Sequence, residues 1–307
     1  MNRKKFKFNK FIYALAPMAG VTDFAFREIC SDFGADLVVT EMISAKALEY
    51  NNKRTQKMLK ETSSCLKAVQ LFGHDEKAVA KVVSSGILNS FDIIDFNCGC
   101  PAKKIVSNND GSAMMRDIEH TKKVLEAIRN NTSKPISVKF RLGIDNNVNY
   151  IEFAKMCESV GVDFITLHAR TREQGYSGEV NISAYKSLIE NVNIPVIWSG
   201  DIKTSKDVQY AKSIGCAGVM IGREALGNPE IFAKLKRKRI NKSKQEIVLQ
   251  HLNNMHDYFG ADDTTFGYFK KHLLWYLKNY PNATELKKQV CFMQNLQQMY
   301  EFIRNNI

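Results

Sequence analysis

A segment near residue 100 places two cysteines one residue apart, with a proline after the second and two lysines close behind. It reads DFNCGCPAKK from Asp95 to Lys104 and contains Cys98 and Cys100. A thiol in such a place can bind a metal, form a disulfide, act as a nucleophile or donate a proton. The seven cysteines have scattered spacings, with no recurring CxxC pair and no CxxC followed by HxxxH. We therefore expect no metal site, no disulfide framework and a reducing, intracellular compartment.

Other residues capable of chemistry follow apolar stretches. Lys139 interrupts one such stretch, and a buried lysine needs a partner. The segments SGDIKT from Ser199 and IGREAL from Ile221 combine glycines with helix starts, which suits one phosphate group. No GxGxxG motif follows an early strand, so the single-phosphate cofactors FMN and PLP remain. PLP also needs a partner for its pyridinium nitrogen, so FMN suits better, with Lys139 beside the reduced ring and Gln70 and Asn97 at its pyrimidine end.

The elements that must position these residues begin with short, continuously apolar runs rich in β-formers. Such runs are typical of parallel strands that are buried on both faces. There are eight of them, covering residues 12–18, 37–42, 66–72, 92–97, 135–141, 164–169, 194–200 and 217–222.

Segments with helical periodicity lie between the runs. They cover residues 23–33, 76–87, 118–130, 150–160, 182–190 and 205–214. Eight strands that alternate with helices predict an α/β fold, a (β/α)8 TIM barrel with its active site at the carboxyl ends of the strands. A doubly wound sheet is the alternative, and the count of eight argues against it.

The pattern changes at the basic run KLKRKRINKSK, which begins at Lys234. No strand follows it, and residues 245–259, 265–278 and 286–303 have helical patterns. Residues 236–307 contain 12 Lys and Arg against 6 Asp and Glu, so half of the net charge of +12 lies in this tail. We predict a catalytic barrel over residues 1–240 and a small all-helical domain over 241–307 that binds a polyanion such as nucleic acid.

The compartment and the oligomeric state are also expectations. The basic N-terminus lacks the apolar segment of a signal peptide, and no apolar run approaches the length of a membrane span. We expect a cytoplasmic protein, and we expect it to be a monomer.

Several segments together resemble the tRNA-dihydrouridine synthases, and the bacterial B-type branch most closely. The resemblance runs from about residue 13 to residue 278, nearly the whole chain. It rests on APMAGVTDFAFR (16–27), VQLFG (69–73), NCGCPAKK (97–104), VKFRLG (138–143), LHARTREQGYSG (167–178), IPVIWSGDI (194–202), GVMIGREALGNP (218–229) and KKHLLWYLK (270–278).

The resemblance implies an FMN-binding barrel, a helical tRNA-binding domain and the reduction of uridine to dihydrouridine with NADPH, or NADH, as reductant. The family pattern usually has Asn where Ser199 stands and Arg where Lys270 stands. The FMN contacts that it implies fall on Pro17, Met18, Ala19, Gln70, Lys139, His168, Ser199, Gly200, Asp201, Gly222 and Arg223, to which our own argument adds Asn97.

The cysteine before the proline, Cys100, is the catalytic residue that the resemblance implies, and Cys98 falls at a variable position. Cysteine is ordinarily protonated at neutral pH, so Cys100 suits a general acid that protonates carbon 5 after hydride reaches carbon 6 of uracil. The alternative for Cys100 is a small buried apolar residue. Lys139 could likewise be a surface lysine, and His168 a core histidine.

The substrate uridine must leave the tRNA elbow and stack over the flavin ring. We expect tRNA contacts from Lys103, Lys104, Arg141, Arg170 and Arg172 at the barrel mouth, and from Lys270, Lys271 and Trp275 in the tail. Two other functions stay open: a small-molecule flavin oxidoreductase of the dihydroorotate dehydrogenase type, and an RNA-binding protein without catalysis. The sequence does not indicate which uridine is reduced.

Overall fold

The computed structural model of the protein describes residues 6–61, 63–146, 148–260 and 263–307. Residues 1–5, part of the N-terminus from which we expect a cytoplasmic protein, lie outside the described residues. Among the described residues no helix combines the length and the apolar character that crossing a bilayer requires.

Eight parallel strands of the described chain close into a barrel in sequence order. The predicted fold class is confirmed, and each strand overlaps one of the eight apolar runs. The strands are β1 (Ile12–Leu15), β2 (Leu37–Ser44), β3 (Leu66–Phe72), β4 (Ile93–Cys98), β5 (Ile136–Arg141), β6 (Phe164–His168), β7 (Val196–Ser199) and β8 (Gly218–Ile221).

Helices connect the strands and pack around the barrel. Several begin at an Asp, Asn or Thr whose side chain accepts a hydrogen bond from a first-turn amide, as Asp23, Asp75 and Thr204 do. The helices are α1 (Phe24–Asp32), α2 (Ala45–Glu49), α3 (Lys53–Lys57), α4 (Glu76–Ser84), α5 (Lys103–Val106), α6 (Ile118–Asn130), α7 (Tyr150–Ser159), α8 (Ile182–Asn191), α9 (Ser205–Ser213) and α10 (Ile231–Leu235), with 3₁₀ turns at Gly111–Met115 and Arg223–Ala225.

Two apolar cores result from this arrangement. The inner core fills the amino-terminal half of the barrel, where Phe6 and Phe8 pack on the ring of Phe164. The outer core lies between the strands and the helices and continues into the tail. Because side chains fill the inside of the barrel in its amino-terminal half, a site inside the barrel lies at the carboxyl ends of the strands.

The tail is helical, as predicted, with one correction. It contains α11 (Lys244–Phe259), α12 (Asp263–Tyr276), α13 (Ala283–Phe292) and α14 (Leu296–Asn306). The single helix predicted over 286–303 is two helices, because the chain is extended at Met293 and Asn295. The side chain of Asn295 caps the second helix by accepting a hydrogen bond from the amide of Gln298 at 3.0 Å. The division at residue 240 stays a prediction.

Candidate active site

A cavity of about 530 Å³ opens at the carboxyl ends of the strands. Its wall includes Cys100 and every residue predicted to contact the cofactor. These cofactor candidates are Pro17, Met18, Ala19, Gln70, Asn97, Lys139, His168, Ser199, Gly200, Asp201, Gly222 and Arg223. Residues that lie far apart in the sequence, from Pro17 to Arg223, therefore border one cavity. The roles predicted for them stay predictions.

The turn that carries Cys100 is held from two sides. The backbone amides of Gly99 and Cys100 donate to Oδ1 of Asn97, at 3.1 and 2.9 Å. On the other side, Nε of Arg141 donates to the carbonyl of Gly99 at 2.8 Å. Cys98 is fully buried in the outer core, whereas Cys100 is partly exposed and borders the cavity. The thiol that can meet a ligand is thus the second one.

A chain of buried hydrogen bonds stands behind this turn. Nδ2 of Asn97 donates to Oε1 of Gln70 at 2.7 Å, and Nε2 of Gln70 donates to Asp95 at 2.6 Å. The hydroxyl of Ser137 donates to the second oxygen of Asp95, also at 2.6 Å. Burial raises the pKa of Asp95 to about 6, although these hydrogen bonds oppose the rise. Asn97 and Gln70 therefore hold the Cys100 turn besides facing the cavity.

Lys139 and His168 present two different nitrogen groups to the cavity. Burial and the nearby Arg141 lower the pKa of Lys139 to about 8, so its ammonium stays charged at neutral pH. Burial, followed by the positive charges of Lys139, Arg141 and Arg170, lowers the pKa of His168 to about 2. His168 is consequently a neutral imidazole, able to donate one hydrogen bond and accept another.

At the carboxyl ends of β7 and β8 the backbone itself borders the cavity. Gly200 has a φ of 114°, and a Cβ there would lie 2.8 Å from Cδ2 of His168. Asp201 follows, also at positive φ, and accepts from Nη2 of Arg170 at 2.5 Å and from Nη2 of Arg223 at 2.8 Å. The side chain of Arg223 remains about half exposed, so it can also face an anion.

The donors fit a flat ring with one polar edge and one phosphate. Pro17, Met18 and Ala19 offer an apolar surface, while Lys139 supplies a cation. Gly200 and Gly222 leave the backbone accessible to a ligand. A side chain at Gly200 would clash with His168, and one at Gly222 would contact Met18. FMN has both of these parts, so the residues present fit it.

The model of the family described as Dihydrouridine synthase (Dus) matches residues 14–306 of this chain. The chain belongs to the dihydrouridine synthase family. Two relatives described as tRNA-dihydrouridine synthase B are each 35% identical to it. The protein from Vibrio parahaemolyticus aligns over 89% of this chain and 88% of its own length, and that from Vibrio vulnificus over 91% and 90%.

A solved structure, described as a variant of NCR from Zymomonas mobilis, has the same fold as this dihydrouridine synthase family member. It superposes with a TM-score of 0.52 at 15% sequence identity, over 78% of this chain and 92% of the other. At that identity the similarity concerns the fold alone.

The five residues at the barrel mouth that are predicted to contact tRNA fall into two groups in this dihydrouridine synthase. Lys103 and Lys104 are exposed in α5, directly after the Cys100 turn, and Arg172 is partly exposed. In contrast, Arg141 and Arg170 are buried. The tRNA contacts predicted for all five stay predictions, and burial does not favour the last two.

Arg141 and Arg170 are occupied by the protein itself. Besides its bond to Gly99, Arg141 donates to the carbonyls of Thr171 and Gly175, at 3.0 and 2.9 Å. Arg170 bonds the carbonyl of Ser177 at 3.1 Å as well as Asp201. Both arginines therefore fasten the loop after β6 to the wall of the cavity.

Sequence reasoning missed an aromatic residue of this site, Tyr176. Tyr176 lies at the cavity mouth, 58% exposed, with the guanidinium of Arg223 4.8 Å from its ring centroid. An exposed aromatic ring beside a cation can stack on a nucleobase. The aromatic residue within the glycine-containing segment 167–178 was the available signal for Tyr176.

Within the part of the chain that the structure describes, one group of side chains that could ligate a metal lies outside the cavity. Asp23, His251 and His272 are buried, with potential ligand atoms within 4.8 Å of one another. Asp23 and His272 hydrogen-bond each other at 2.9 Å. The expectation of no metal site stays a prediction.

Proposed function

We propose that this protein is a tRNA-dihydrouridine synthase that reduces the 5,6 double bond of specific uridines in the D-loop of tRNA. The observation that carries the proposal is the convergence of Cys100, Lys139 and His168 on one cavity in a chain of this family. The relatives at 35% identity are described by the same activity and are matched over most of their length.

The cofactor in this proposal is FMN, with NADPH or NADH as its reductant. When bound, FMN would supply the hydride that carbon 6 of uracil receives. Pro17 to Ala19 would support the ring, Lys139 would stand beside its electron-rich edge, and Arg223 with the backbone of Gly200 would bind the phosphate.

Cys100 is the proton donor in this proposal. Its turn is held by Asn97 and Arg141, so the thiol has a defined direction into the cavity. A donor held in place loses little entropy when the substrate arrives, and this lowers the activation free energy of proton transfer. The neutral imidazole of His168 and the cation of Lys139 can stabilise negative charge on the uracil carbonyls.

The substrate base would reach the cavity by leaving the folded tRNA. Tyr176 at the mouth offers a stacking surface, and the exposed Lys103 and Lys104 offer charges for tRNA phosphates. Lys270, Lys271 and Trp275 in α12 are further candidates for contact. The reaction on tRNA implies a cytoplasmic enzyme, and we propose that it acts as a monomer.

The decisive experiment is the analysis of tRNA from cells with and without this protein. We expect dihydrouridine to disappear from one or more D-loop positions in the deletion strain and to return when purified protein, FMN and NADPH are added to that tRNA. A yellow protein that reduces small pyrimidines but leaves the deficient tRNA unchanged would instead support the dihydroorotate dehydrogenase type. A colourless protein that binds the tRNA would support a binding function.

A further inference from the structure

The loop that forms one wall of the cavity joins β1 to α1, and we name residues 17–23 the β1 loop. Pro17, Met18 and Ala19 face the cavity. The amides of Val21 and Thr22 both donate to the carbonyl of Met18 at 3.0 Å, which closes a tight turn. The loop ends at Asp23, whose Oδ1 accepts from the amide of Phe26 at 3.0 Å and so caps α1.

The second oxygen of Asp23 bonds a residue of the tail. Nε2 of His272, in α12, lies 2.9 Å from Oδ2 of Asp23, and the two side chains are only 1% and 7% exposed. Burial alone would raise the pKa of Asp23, but the charge and the hydrogen bond of His272 lower it to about 2. One carboxylate therefore ties the start of α1 to a helix 249 residues further along the chain.

The same helix touches two cavity loops that are neighbours in the barrel. Nζ of Lys271 lies 3.5 Å from the position that a Cβ on Gly20 of the β1 loop would occupy. At the loop after β8, the carbonyl oxygen of Trp275 would lie 2.3 Å from a Cβ on Gly227, so this close backbone approach requires glycine. The helix α12 thus braces the wall of the cavity from behind.

These contacts bear on the segment Lys270–His272, of which Lys270 and Lys271 are predicted to contact tRNA. Lys270 donates to the carbonyl of Cys291 in α13 at 2.7 Å, and His272 is buried. The third side chain, Lys271, has its Nζ 4.9 Å from the ring centroid of Tyr268, so all three have partners within the protein. The segment joins the tail to the cavity.

We propose that His272 is a positioning residue that holds the β1 loop, and with it the apolar wall of the cavity, through its bond to Asp23. Removing His272 would leave the carboxylate of Asp23 buried without its partner, a strongly unfavourable state. The carboxylate would then turn toward water and release the cap of α1, loosening the loop. The consequence for flavin rests on the proposed function, whereas the consequence for the loop does not.

The test compares His272→Leu with His272→Gln, whose amide can still donate to Asp23, and with His251→Leu as the matched control. His251 is equally buried and lies beside the pair, with ligand atoms of all three residues within 4.8 Å of one another, but its hydrogen bond is with the hydroxyl of Tyr276 at 3.1 Å rather than with Asp23. We expect amide hydrogen exchange of residues 20–22 to accelerate about tenfold in His272→Leu, and little in the other two. The dissociation constant of FMN should rise about three- to tenfold in the same variant only.

Asp23→Asn provides a second variant that keeps an α1 cap while removing the charge, in case His272→Leu does not fold. It should also accelerate exchange of residues 20–22, by a smaller factor. Equal exchange in His272→Leu, His251→Leu and the wild type would overturn the proposal, as would unchanged exchange in Asp23→Asn. Because this exchange needs neither flavin nor tRNA, its result is independent of whether the proposed function is correct.

Discussion

The two ends of the barrel both contain a cavity, and the larger one is at the end without the predicted chemistry. The cavity at the amino-terminal end has about 770 Å³ and is lined in part by Phe6, Phe8 and Phe11. The mouth has about 530 Å³, but the groups with shifted pKa values, Lys139 and His168, border it. The volumes of the two cavities therefore do not indicate which one is the site. The buried ionisable groups at the carboxyl ends of the strands favour the cavity at the mouth.

Among variants that test the difference between the two ends of the barrel, we expect the largest effect at Cys100. Cys100→Ala should lower the rate of dihydrouridine formation by about 10² to 10⁴-fold, because the proton donor is lost. Flavin binding and its reduction by NADPH should persist, as measured by absorbance. Cys98→Ala is the matched control, since this thiol is buried in the outer core. Equal turnover by both variants would contradict the assignment of the proton donor.

The next effect is expected at the phosphate side of the mouth. Arg223→Ala should raise the dissociation constant of FMN roughly tenfold, because a charge-assisted hydrogen bond is lost. Lys203→Ala removes a nearby exposed cation that does not line the cavity and should change the constant little. Fluorescence titration measures both. If the two variants lose FMN affinity equally, net charge rather than the position of Arg223 governs binding. If neither loses affinity, Arg223 does not bind the phosphate.

At the amino-terminal end we expect an effect on stability alone. Phe8 packs on Phe6 and Phe164 with ring centroids 4.9 Å away in both cases. Phe8→Ala should lower the free energy of unfolding by about 2 kcal/mol, measured by denaturant titration, because apolar contacts are lost. The dissociation constant of FMN should stay at the wild-type value. A weakened FMN affinity would show that the two ends are not separate.

The last effect concerns the pH dependence of stability. The pKa of His168 is about 2 in the folded protein, so below about pH 6.5 the unfolded chain binds a proton that the folded one does not. This histidine therefore lowers the free energy of unfolding by up to about 1.4 kcal/mol per pH unit as the pH falls below that value. His168→Gln should show a shallower decline between pH 6.5 and 4.5 in the flavin-free protein, whereas Phe8→Ala should keep the wild-type slope. Identical slopes in all three proteins would indicate a protonated His168 in the folded state.

The barrel was predictable because each strand has a local signature in the sequence. Parallel strands buried on both faces need continuous apolar runs, and eight such runs predict eight strands. Helix ends were less predictable: the break at Met293 to Asn295 depends on one cap inside a segment with uninterrupted periodicity. The convergence of the predicted cofactor residues also followed from the fold, because the carboxyl ends of the strands meet at one mouth.

The pairs that hold the site were not predictable, since their partners are far apart in the chain. Asp95 and Ser137 are 42 residues apart, and Asp23 and His272 are 249 apart. No local pattern distinguishes a histidine that pairs with a buried carboxylate from one that faces RNA. For the same reason, Arg141 and Arg170 resemble phosphate contacts in the sequence, although both are buried against backbone carbonyls.

The sequence by itself determined the types of group at the strand ends, a thiol before a proline, a lysine within an apolar strand and glycines before helices, and so the class of chemistry. The tertiary structure alone decided which of these groups are buried, charged and free to meet a ligand. Burial and neighbouring charge set the state of Lys139 and His168, and folding placed His272 beside the buried carboxylate of Asp23. These properties depend on neighbours that only folding brings together.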